Sequence, residues 1–162
     1  MQLLTAEELM LEQYLAFCKN PLRDDITVAN EYKYLMRLPG VQRVAFYSRD
    51  ILMVGTHCIS LKDPETGFVH SIGEFIIYLY RKRMGRVWDT GFCFENIRGT
   101  LHGYHHPHIN VSTVLDLGDM GILCISRGQF HIYQHLRSGE MHIATQLLID
   151  ILKTYDQDSP FH

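Results

Sequence analysis

The chain has 162 residues, 46% of them hydrophobic and 20% charged, with 15 Lys and Arg against 18 Asp and Glu. That length suits a single domain over 1–162, in which about 70% of the unfolded surface becomes buried, and the composition excludes disorder, collagen and coiled coil. A net charge of −3 argues against a nucleic-acid or anionic-membrane partner, both of which select a basic face.

No apolar run approaches the roughly 18 residues of a membrane span. The opening MQLLTAEELMLEQYL places acids where a secretory signal would be cationic. Cys18, Cys58, Cys93 and Cys124 lie far apart without a C-x-x-C pair, as expected of reduced thiols in a cytoplasmic protein.

Thr5 followed by Glu8 is the signature of a capping box. Leu11, Tyr14, Leu15 and Cys18 keep helical spacing behind it, and Asn20-Pro21 ends the helix. The 28–38 stretch is compatible with a helix or an irregular segment before the Pro39-Gly40 turn. From Val41 the period changes to two, with Val44, Phe46 and Ser48 on one face. A β-branched, apolar run follows over 51–60, then the turn Asp63-Pro64-Glu65-Thr66-Gly67. Over 71–80, Phe75, Ile77 and Leu79 alternate with Ile76, Tyr78 and Tyr80. Over 87–97, Trp88, Thr90, Phe92 and Phe94 share a face. The short connections predict a four-stranded antiparallel meander, since parallel neighbours need crossovers of a dozen or more residues.

Residues 99–120 show no sustained period, and a long irregular stretch in a small domain is usually functional or mobile. The apolar run Ile122-Leu123-Cys124-Ile125 returns to the core. A short helix is expected over 129–136. A clearer one follows, with Ile143, Ala144, Leu147, Leu148, Ile151, Leu152 and Tyr155 on one face. The fold class is therefore α+β: an N-terminal helix, the meander, a loop and C-terminal helices.

Candidate chemistry concentrates in the irregular stretch. His102, His105, His106 and His108 fall within seven residues. A polar surface loop is one reading. Neighbouring imidazoles that perturb one another's titration are another, and point to a site. Cys124 stands just after this stretch, before Ser126-Arg127-Gly128. An apolar flank favours a core cysteine, whereas a position at the edge of an irregular segment favours a reachable thiolate. Cys18, Cys58 and Cys93 sit within helix and strand patterns and read as structural.

Together, a helix, a meander, a His106-Pro107-His108 loop, Cys124 and closing helices resemble the ubiquitin-conjugating enzymes. The stretches Gly121-Ile122-Leu123-Cys124-Ile125, Leu136-Arg137-Ser138-Gly139-Glu140 and Tyr155-Asp156-Gln157-Asp158-Ser159-Pro160-Phe161 are similar as well. Eukaryotic members carry His-Pro-Asn. The His-Pro-His form resembles bacterial relatives that handle ubiquitin-like proteins, which implies bacterial origin and a role in antiphage defence. The strong part of the match runs over 104–161.

The resemblance implies that Cys124 accepts the C-terminal carboxyl of a ubiquitin-like protein as a thioester from an activating enzyme and passes it to a target protein. The activating enzyme supplies the ATP chemistry, so no cofactor is expected. His106 and His108 would organise the site, with His108 in the place of the Asn that steadies the oxyanion. Asp119 and Asp156 are weaker candidates for orienting the incoming amine. The sequence departs from the family in one respect: fifteen residues separate His108 from Cys124, and 111–120 reads as an insertion. The loop meets the thiol only if that insertion folds outward.

Two other readings fit parts of the pattern. His106-Pro107-His108, ten residues and then Asp119 match the ligand spacing of a JAMM-type zinc isopeptidase, with Glu74 as its upstream acid. Ile109 stands where that family has Pro, and Asp116 where it has Ser. Alternatively, the chain is a non-catalytic binding module of the same fold, with Cys124 in the core.

Overall fold

A computed structural model describes residues 3–19, 23–80, 91–97, 109–114, 118–123 and 126–154, with the backbone alone over 109–114, 118–123 and 126–130. Helix α1 spans Ala6–Phe17. Its capping box is formed as the sequence predicts: Glu8 N–H donates to Thr5 Oγ1 at 3.2 Å, and Thr5 N–H donates to Glu8 Oε2 at 2.7 Å. Helix α2, Asp25–Arg37, resolves the ambiguity of the 28–38 stretch. Asp24 caps it by accepting Thr27 N–H at 2.7 Å, and Val28, Glu31 and Leu35 form its buried stripe.

The strands that follow are β1 Val41–Ser48, β2 Ile51–Thr56, β3 Ile59–Lys62, β4 Val69–Gly73, β5 Phe75–Tyr80 and β6 Phe92–Asn96. Two more, β7 Ile109–Val114 and β8 Gly118–Leu123, precede helices α3 Ser126–Arg137 and α4 Met141–Leu152. The main sheet runs β1-β2-β5-β6-β8-β7, and β3-β4 form a separate two-stranded sheet. The expected antiparallel meander is present as β1-β2-β5-β6, within an α+β fold. Its extent differs from the expectation in two ways.

First, the sheet has six strands, because β7 and β8 join at its far side. Second, the apolar runs over 51–60 and 71–80 each break in two. Thr56 Oγ1 accepts Phe75 N–H at 3.0 Å and donates to His57 O at 2.8 Å. That hydroxyl occupies the amide that would extend the ladder. Beyond it the chain diverges into the β3–β4 arm, whose turn is held by Asp63 Oδ1 accepting from Glu65 N–H and Thr66 N–H. Asn96 Nδ2 ties the arm back by donating to Ile72 O at 3.1 Å.

The pleat sorts β5 as its alternation predicts. Phe75, Ile77 and Leu79 join Phe92 and Phe94 in the main core with the helices, while Tyr78 and Tyr80 join Ile51 and Cys93 in a second cluster. Trp88 and Thr90 lie outside the described residues. The buried stripe of α4 is rotated from the expected one. Met141, Thr145 and Ile149 are buried beside Ala144, Leu148 and Leu152, whereas Leu147 and Ile151 only border the core. Tyr155 lies outside the described residues.

Cys18 and Cys93 are buried, as structural cysteines should be, but Cys58 is exposed. It falls in the gap between β2 and β3, and its Sγ lies 3.1 Å from Ser71 Oγ. The continuous apolar run concealed that break. Among the described residues no helix is long and apolar enough to cross a membrane.

Candidate functional site

Cys124, His106 and His108 lie outside the described residues, as do His102, His105 and Asp156. The fifteen residues between His108 and Cys124 are largely described, and they are not an irregular insertion. They hold β7 and β8, an antiparallel hairpin with Cα partners Ile109↔Leu123, Asn110↔Ile122, Val111↔Gly121, Ser112↔Met120, Thr113↔Asp119 and Val114↔Gly118. Its first and last residues are therefore paired with each other. His108 precedes Ile109 in the chain and Cys124 follows Leu123.

The hairpin is fixed to the sheet through β8, where Phe94 of β6 is the Cα partner of Gly121. This seam joins β6 to β8 and leaves β7 outermost. Helix α3 begins at Ser126, two positions beyond Cys124. A helix start concentrates partial positive charge from its unpaired N–H groups.

Next to the Phe94↔Gly121 register lies a polar pair that the sequence reading did not single out. Tyr78 donates its hydroxyl proton to Glu95 Oε2 at 2.6 Å, and the Tyr47 ring packs edge-on against Tyr78 with centroids 6.2 Å apart. Burial pushes the Tyr78 phenol well above its ordinary range, and the bond to the Glu95 carboxylate adds to the rise. The signal for this pair was the alternation in β5 and β6, which puts Tyr78 and Glu95 on the face away from the helices.

The residues of the zinc reading are only partly described. Asp119 is the Cα partner of Thr113 in β8. Glu74 joins β4 to β5, and its carbonyl accepts Ile97 N–H at 2.9 Å. Among the described residues no three His, Cys, Asp or Glu side chains are grouped so as to hold a metal ion. No family model, curated protein or solved structure matches the chain.

Proposed function

We propose that the chain is an acyl carrier of the ubiquitin-conjugating type, accepting a ubiquitin-like protein from an activating enzyme on Cys124. The observation that carries this reading is the register of β7 and β8. Ile109 and Leu123 are Cα partners, and His108 and Cys124 are each one peptide step, about 3.8 Å between Cα atoms, from that pair. The hairpin that separates the His-Pro-His stretch from the thiol begins and ends at that one pair, which is what a site shared by the two stretches needs. The α+β order of helices and meander supports the same reading.

In loading, the Cys124 thiolate attacks the carbonyl carbon of the thioester held by the activating enzyme, and that enzyme's thiolate leaves. In discharge, an amine of the target protein attacks the Cys124 thioester, loses a proton and expels the Cys124 thiolate. A thiolate suits both roles, being a good nucleophile near neutral pH and a good leaving group. A helix start favours an anionic sulfur beside it, and α3 begins two positions beyond Cys124 in the chain; His108 is the residue assigned to hydrogen-bond the oxyanion formed in each step.

The test is incubation with an activating enzyme, its ubiquitin-like partner and ATP. A reductant-sensitive adduct that is absent from Cys124→Ala supports the proposal. A wild-type chain that forms no adduct with any cognate pair refutes it and favours a binding module.

A further inference from the structure

A groove between α1 and the edge of the main sheet stands apart from the proposed thiol chemistry. Its volume is about 500 Å³, within the range of small-molecule sites. Gln13 and Ala16 of α1 form one wall, and Phe46, Tyr47, Ser48 and Arg49 form the other. Gln13 and Ala16 are three positions apart, on one face of the helix. Phe46 and Tyr47 are successive residues of β1 and point to opposite faces of the sheet. Both line the same space because β1 is an end strand, so the groove wraps its open edge.

The aromatic wall is braced from behind. Phe46 packs edge-on against the buried Phe17, with ring centroids 5.7 Å apart. Tyr47 packs on Tyr78, which in turn donates its hydroxyl proton to Glu95. Ser48 Oγ accepts Asp50 N–H at 3.4 Å, which leaves its own proton for another acceptor. Gln13 and Arg49 are exposed, and among the described residues their side chains form no hydrogen bond or ion pair. A guanidinium, an amide and a hydroxyl thus stand as donors beside the apolar surface of Ala16 and Phe46.

We propose that this groove binds a small organic carboxylate with a flat apolar body. The single guanidinium fork matches the two oxygens of a carboxylate. A phosphate monoester carries about −1.5 to −2 charges near neutral pH, more than one cation balances. The carboxylate accepts two parallel bonds from Arg49 and further ones from the Ser48 hydroxyl and the Gln13 amide. The body lies against Ala16, Phe46 and Tyr47, where its burial adds to the affinity.

The test is a titration of the isotope-labelled full chain with naphthoate, followed by backbone amide NMR, with the neutral naphthamide as control. Saturable shifts confined to 13–16 and 46–49 are expected, with naphthamide binding more weakly. Arg49→Gln should weaken naphthoate roughly tenfold, because charge-assisted hydrogen bonds are lost. Ala16→Leu, which fills the groove from an exposed helix position, should abolish binding. Both substitutions are at exposed positions, and both variants should keep the wild-type unfolding midpoint. Absent or non-saturating shifts, shifts spread over the other arginines, or equal affinity for naphthamide overturn the proposal. So does either variant, folded, that binds naphthoate as tightly as the wild type.

Discussion

Ile109 and Leu123 face one another as Cα partners at the open end of the β7–β8 hairpin, although fourteen positions separate them in the chain. What looked like an insertion between the His-Pro-His stretch and Cys124 thus starts and finishes at a single point of the sheet. The tip of the hairpin is dispensable on this view, and its base is not.

Replacing 113–119 with Asn-Gly would leave Ser112 and Met120 as the last pair, joined by the two-residue turn that hairpins favour. Loading of Cys124 should continue at close to the wild-type rate, as followed on a non-reducing gel. The same replacement removes Asp119, so retained loading would also strip that residue of any role. Loss of loading in a folded variant would count against the dispensable tip.

His108→Ala should separate the two half-reactions. Removing one oxyanion donor typically costs 10²–10³ in rate. Discharge of a preloaded thioester to free lysine should slow by roughly that factor. Unchanged discharge would free His108 from the role given to it.

Gly139 ends α3 with φ +79°. A Cβ there would stand 3.2 Å from Arg23 Nη1 and 3.3 Å from Cys18 O. Both the left-handed backbone and the crowding oppose a side chain, so Gly139→Ala should lose more than about 1 kcal/mol in urea unfolding. It should not alter the slope of the transition.

Backbone and side-chain hydrogen bonds from Thr27 hold the Asp24 carboxyl below its ordinary value. A carboxyl with a depressed folded pKa contributes stability that is complete above the unfolded value, about 3.9, and fades as pH falls through the lower folded value. Asp63, held down in the same sense by Thr66 and Glu65, adds to the effect. Stability should therefore drop below about pH 4, and Asp24→Asn should flatten that limb. Thermal midpoints measured across acid pH will show whether it does.

Local signals were legible wherever the side chain itself decides the structure. Thr5 and Glu8 supply both halves of a cap, and Phe75, Ile77 and Leu79 can satisfy only a pleat with one face in the core. The β7–β8 hairpin was hidden because Gly118, Asp119 and Gly121 are poor strand formers. Their conformation depends on pairing with β6, a partner more than twenty residues earlier in the chain. The break at Thr56 was hidden for the opposite reason: ILMVGTHCIS reads as one strand throughout, and only the Phe75 amide, nineteen residues away, shows where it ends. At the candidate site, residue types could be read but not neighbours. The sequence offered His108 and Cys124 as chemistry, and the pairing that relates their flanking residues is a property of the sheet.

Arg23 reaches Ser138 across 115 positions of chain, and α2 packs on α4. At ribosomal speeds of about 5–20 residues per second, the carbonyl emerges roughly 6–23 s after the guanidinium that binds it. For that interval the newborn α2 carries Leu35 and Glu31 without their final cover. Nascent chains stalled before Met141 should consequently engage ribosome-associated chaperones, and release should coincide with the arrival of α4.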